Sequence, residues 1–273
     1  MTEKTMKEMS FLDHLEVLRW LLVRSSVAML IMAAVAFFLS DFLFDKIIFG
    51  PTSPDFITYT FFCDLSHYLG FADSICVTEL PFIIQNTAVE GQVNSLIWTC
   101  ITAGFILSFP YILWEFWKFI SPALYEKEKK NAKLFIFSSS ILFFAGVLFG
   151  YFIVVPMSVN FFASFRVSDI VKNQFTLESY TSMIKTSVLA SGLFFELPII
   201  IYFLTKIGLV TPTFLRKYRK IAIIIVLIVA AIVTPPDVVS QIIVSIPMLL
   251  IYEISIFISS RVYKNALKRE QNI

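Results

Sequence analysis

The sequence predicts an all-α integral membrane protein of six transmembrane helices, with both termini on the cytoplasmic side. Three observations lead there. Hydrophobic residues make up 58% of the 273 positions and charged residues 15%, against about 25% charge in an ordinary soluble domain. So apolar a chain has too little polar surface to cover a water-facing exterior, and its outside must face lipid. Six apolar runs recur along it, and the cations between them are distributed unequally. The net charge of +2 points to no nucleic-acid partner. With no Gly/Ser-rich linker, low-complexity tract or internal repeat, residues 1–273 read as one polytopic membrane domain.

A spanning helix needs about 20 mostly apolar residues. The runs fall at 20–42, 96–114, 134–156, 187–205, 221–234 and 238–258. The first follows Lys4 and Lys7 and contains Ala34-Val35-Ala36, the outline of a cleavable leader. Its length of about 20 residues exceeds the apolar core of a signal peptide, and Glu8, Asp13 and Glu16 precede it. It reads as a span that stays. The fifth run is short: about 14 residues, or roughly 21 Å, against a hydrocarbon layer of about 30 Å. It either thins the bilayer locally or forms a re-entrant hairpin with the sixth. Both options return the C-terminus to the same side.

Orientation follows from Lys and Arg. Eighteen of the 22 lie in the N-terminal segment, the second and fourth loops and the C-terminal tail; Lys46, Arg166, Lys172 and Lys185 lie elsewhere. Positive residues accumulate on the cytoplasmic side. Outside then lie a long loop (about 46–93), a medium one (about 157–183) and a tight turn at Pro235-Pro236. The long loop is acidic and holds Cys63 and Cys76, which either pair in an oxidising compartment or remain two free thiols.

Four segments carry residues that composition does not explain. Ser10 and Asp13 open an amphipathic helix through Phe11, Leu15, Leu18 and Leu22. It is either a juxtamembrane interfacial helix or a docking helix offering Glu16 and Arg19. After the second run, Trp114, Trp117 and Tyr125 suit a membrane interface, and Pro122 disfavours helix at Ser121. Glu126 and Glu128 stand in the basic stretch that follows. Glu196 sits inside the fourth run, where an ionisable side chain costs at least about 2.5–3.5 kcal/mol. It is a functional candidate or a protonated group tied to a neighbouring helix, and Pro198 lets the helix kink there. Thr234-Pro235-Pro236-Asp237 closes the fifth run, Asp237 offering a cap to the next helix, with Gln241 beyond it. His14 and His67 lack metal-ligand spacing, and neither a phosphate loop nor a nucleophile motif is present, so no metal, cofactor or enzymatic activity is expected.

In order and spacing these residues resemble the TatC family of twin-arginine translocases. His14-Leu15-Glu16-Val17-Leu18-Arg19 resembles the family's HLxELR. Phe119-x-x-Pro122-x-Leu124-Tyr125-x-x-Glu128-Lys129-Lys130 resembles its FxxPGLxxxER. Further matches are Phe143-x-x-Gly146-x-x-Phe149-Gly150-Tyr151, Phe194-Phe195-Glu196-Leu197-Pro198 and the Thr234-Pro235-Pro236-Asp237 hairpin. The resemblance implies a concave, glove-like bundle in a bacterial inner membrane. It implies a receptor for twin-arginine signal peptides of folded cargo and an assembly platform for TatA-like and TatB-like single-span subunits. Export would be driven by the proton motive force, and the chain would oligomerise within a receptor complex. The resemblance assigns signal binding to Glu128, with Glu16, Arg19, Phe119, Pro122, Leu124, Tyr125 and Glu126 around it. It assigns partner contact within the membrane to Glu196, Pro198, Asp237 and Gln241. This chain departs from the pattern at Val17, which takes the place of the family's Glu; Glu16, Glu126 or packing alone fills the gap. Ala123 replaces a Gly, and the outer loop is large. On the residues alone, a proton-coupled transporter of a small solute using Glu196 is the alternative.

Overall fold

The computed structural model describes residues 11–68, 70, 76–77, 79–120, 132–234 and 238–270. The helices are α1 (Phe11–Phe38), α2 (Ile57–Tyr68), α3 (Gly91–Ile120), α4 (Ala132–Phe149), α5 (Val155–Ser164), α6 (Leu177–Phe195), α7 (Leu197–Lys206), α8 (Pro212–Lys217), α9 (Arg219–Val233) and α10 (Val238–Glu270). Two three-residue strands, β1 (Ile83–Gln85) and β2 (Gln174–Thr176), pair in parallel. Among the described residues, five helical runs are long and apolar enough to cross a membrane: Leu15–Phe38, Gly91–Ile120, Lys133–Ser164, Leu177–Lys206 and Ser240–Asn265. The second, third and fourth outrun the spans expected from apolarity at both ends, because the helices continue through the interfacial residues; the first starts earlier but ends at Phe38, short of the expected 42, and the last extends past 258. The fifth expected run becomes α9, 15 residues and too short for this group. The helix predicted before the first span begins by Phe11; Ser10, its expected cap, lies outside the described residues.

The chain divides into two compact units, residues 1–43 with 92–141, and 44–91 with 142–273. In the first, α1 and α3 meet at Gly104, where a Cβ would stand 2.6 Å from the Ala33 nitrogen and 2.7 Å from the Met29 carbonyl. Without a strong hydrophobic drive between helices in lipid, small residues that admit close backbones do this work. Phe135 of α4 lies 4.7 Å from the buried Trp117 ring of α3.

In the second unit the seam is deeper. A Cβ on Gly146 would lie 2.6 Å from the Ser191 carbonyl, and one on Gly150 would lie 2.9 Å from that of Ser187. Around it Phe149, Val154, Val226, Ala230, Val244 and Met248 form the core, with Phe194 and Phe195 packed against it. The α7 end closes on Gly208 at φ 78°, a conformation that glycine adopts without a Cβ penalty. There the Leu209 and Gly208 N–H groups reach back to the carbonyls of Leu204 and Thr205.

Prolines decide where carbonyls lose their partners. Pro156 has no N–H to give Phe152, and the helix widens into a π-turn at Gly150–Val154. The Thr58 hydroxyl of α2 donates to that Phe152 carbonyl. The Tyr59 hydroxyl donates to Pro156 O (3.0 Å) and lies 3.1 Å from Pro51 O. Burial pushes the Tyr59 phenol well above its ordinary pKa, so it remains a donor. Tyr151 and Tyr180 donate likewise to the carbonyls of Ile47 and Ile48, at the end of a second π-turn (Leu43–Ile48). Cys63 and Cys76 form a disulfide, Cα atoms 4.6 Å apart. His67 lies 3.7 Å from the Cys76 sulfur; with both sulfurs in the bridge, this group offers no thiolate to a metal.

Candidate functional site

The expected signal-binding residues divide between what is described and what is not. Glu16 and Arg19 are exposed on α1, and Val17, which occupies the place of an expected carboxylate, is half-buried between them. Phe119 is half-buried in the last turn of α3. Pro122, Leu124, Tyr125, Glu126 and Glu128 lie outside the described residues.

Sequence reasoning missed a buried carboxylate at this end of α3. Glu115, one helical turn before Phe119, is buried, with its side chain 4% exposed. Its oxygens lie 2.6 Å from Lys118 Nζ and 3.5 Å from an Arg24 guanidinium nitrogen. Lys118 also sits over the Trp114 ring at 5.5 Å. Glu115 stands in the apolar run Phe109–Phe119 as Glu196 does in its own, and that was the available signal. Its partner Arg24 could not be read, because only the packing of α1 on α3 brings the two together. The pair gives α1 a second attachment to α3 beyond Gly104, and so sets how α1 is rotated. A double-mutant cycle of Arg24→Met with Glu115→Gln, followed by thermal unfolding in detergent, is expected to give a coupling of about 1 kcal/mol, both cations being half exposed. Additive effects would show that the contact carries no energy.

Glu196 is buried at the junction of α6 and α7. Pro198 occupies the first turn of α7 and is itself fully buried. It cannot serve the Phe194 carbonyl, so the helix breaks and the Glu196 N–H turns to the carbonyls of Leu193 and Phe194. The Glu196 carbonyl then receives the Ile199 and Ile200 N–H groups, both at 3.0 Å. Gln241 of α10 donates to the Leu227 carbonyl of α9 at 3.2 Å, and the buried Thr234 hydroxyl donates to Ala230 O. The two phenylalanines before Glu196 pack on the core that α9 and α10 build, which brings the break and the hairpin into one layer. Asp237 lies outside the described residues. At the start of α9 Arg219 pairs with Glu253 in the middle of α10 at 2.8 Å, and the neighbouring Tyr252 hydroxyl donates to Leu215 O of α8.

Several long apolar helices, a buried carboxyl at a proline break and a second buried carboxylate define a polytopic helical membrane protein built around intramembrane polar groups. Residues 13–247 match the family described as Sec-independent protein translocase protein (TatC). A TatC of Blattabacterium sp. subsp. Periplaneta americana is 45% identical over 258 residues, covering 94% of this chain and 97% of the relative. TatCy of Bacillus subtilis is 33% identical over 268 residues, covering 98% and 95%. A crystal structure of the twin-arginine translocase receptor TatC superposes with a TM-score of 0.69 at 33% identity, covering 91% of this chain and 99% of that one. The chain belongs to the TatC family and is a membrane-embedded component of the Sec-independent protein translocase, a transport subunit rather than an enzyme.

Proposed function

We propose that this protein is the signal-peptide receptor of a twin-arginine translocase in a bacterial inner membrane, with six spans and both termini cytoplasmic. One observation supports this most. The likeness to a solved twin-arginine receptor extends over 91% of this chain, which carries Phe119-x-x-Pro122-x-Leu124-Tyr125-x-x-Glu128 in a lysine-rich stretch. Glu128 holds the paired arginines, since a guanidinium engages a carboxylate through two parallel hydrogen bonds and an ammonium does not. Glu16 and Arg19 on the exposed face of α1 complete the site, with Phe119, Pro122, Leu124, Tyr125 and Glu126 lining it. Glu196, Pro198, Asp237 and Gln241 receive the spans of TatA-like and TatB-like subunits, a protonated Glu196 donating to a polar residue there at less desolvation cost than an ion. The receptor oligomerises, gathers these subunits, and the proton motive force drives folded cargo across.

The test is binding of a labelled twin-arginine signal peptide, and its twin-lysine version, to the protein in nanodiscs. A preference for arginine of about tenfold or more, roughly 1.4 kcal/mol, is the expected result. Equal weak binding of both peptides counts against the reading.

A further inference from the structure

Helix α2 has three faces. Helical spacing places Ile57, Phe61, Leu65 and Tyr68 on one, Thr58, Tyr59 and Ser66 on a second, and Thr60, Asp64 and His67 on a third. The second face is buried against the rest of its unit. The third is polar and open. The first is apolar and equally open: Ile57 is 64% exposed, Phe61 61%, Leu65 39% and Tyr68 88%. A helix outside the spans that leaves four large apolar side chains uncovered needs an apolar neighbour.

Its fastening says at what depth that neighbour lies. Thr58 and Tyr59 bind the carbonyls of Phe152 and Pro156 in the helical run Lys133–Ser164. Counted from Lys133, Phe152 stands about 28 Å along the helix at 1.5 Å per residue. The hydrocarbon layer is about 30 Å thick. With the basic end of this run, Lys133, set at one headgroup layer, the attachment falls where acyl chains give way to headgroups on the other side, and Phe152, on which Phe56 stacks at 5.9 Å, is itself partly exposed. Cys63 lies two positions from both Phe61 and Leu65, about 200° round the helix, so its disulfide to Cys76 leaves α2 from the side opposite the apolar face.

We propose that α2 is an interfacial helix, lying in the headgroup–acyl boundary with Ile57, Phe61, Leu65 and Tyr68 in lipid and Asp64 in water. An amphipathic segment with separate apolar and polar faces binds a bilayer surface in this manner. The inference depends on the span assignment and not on signal recognition.

Spin labels on Phe61→Cys and Thr60→Cys, each in a Cys100→Ser background with the disulfide intact, test it in phosphatidylcholine nanodiscs. Oxygen, which partitions into lipid, is expected to collide with the Phe61 label several-fold more often than a water-soluble nickel chelate does. The Thr60 label shows the reverse. Equal access of the chelate to both labels would place α2 in water and overturn the proposal. A Phe61 label that neither reagent reaches would put a protein surface there, such as a second copy, and would overturn it as well. Leu65→Cys repeats the measurement at a second site, so that a local fault in one variant does not decide the outcome.

Discussion

Glu128→Gln weakens binding of a twin-arginine signal peptide about 10- to 100-fold, because a hydrogen bond to a charged group contributes about 1.5–3 kcal/mol and the amide keeps the shape while losing the charge. The twin-lysine peptide, which never made the bidentate contact, loses much less, so the ratio between the peptides collapses toward one. Titration in nanodiscs measures both. An unchanged ratio in a variant that inserts and unfolds like the parent would remove Glu128 from the site. The same titration on Glu16→Gln and Glu126→Gln decides which carboxylate compensates for Val17, and no effect from either would assign that end of the site to packing.

Gly146→Val has the largest effect expected on the fold. The new Cβ would meet the Ser191 carbonyl at 2.6 Å and the Gly192 Cα at 2.9 Å, and both are backbone. A side chain in the way can change rotamer, whereas a helix backbone must move as a unit. Overpacking costs about 1–3 kcal/mol where neighbours can adjust, and here about 3 kcal/mol or more is expected. The clash also separates α4 from the α6 end that carries Glu196. Unfolding in increasing SDS reads the loss of stability. A midpoint within error of the parent would mean that the seam is looser than its geometry indicates.

The apolar runs, the proline break at Glu196 and the short fifth run were all legible, because each follows from residues near one another in the chain. Lipid imposes apolarity over about 20 residues, and proline withdraws an N–H wherever it stands. The helix ends were less legible. α3 continues from the last expected apolar position, Trp114, to Ile120 because interfacial Trp117 and Lys118 are as compatible with helix as the span itself. Apart from the Cys63–Cys76 pairing, which was one of two readings, the layer that ties residues 44–91 to the later helices could not be read. Three-residue strands carry too little pattern, and the hydroxyl donors of Thr58, Tyr151 and Tyr180 look like ordinary surface chemistry until the carbonyls they serve are known. Glu115 belongs to the same class: the residue was visible, but its meaning depends on Arg24, 91 positions away.

The hydroxyl ties also constrain the order of events during synthesis. Thr58 and Phe152 are 94 residues apart, and Tyr180 and Ile48 are 132 apart. A ribosome adds about 5–20 residues each second. The first long loop is therefore complete several seconds before the helices that will hold it have been made, and through that interval the Cys63–Cys76 bridge is a covalent link that it can form from its own residues. Maturation of this part of the protein is timed by the emergence of the fourth helical run, and a truncation that stops before Tyr180 should leave the loop sensitive to protease.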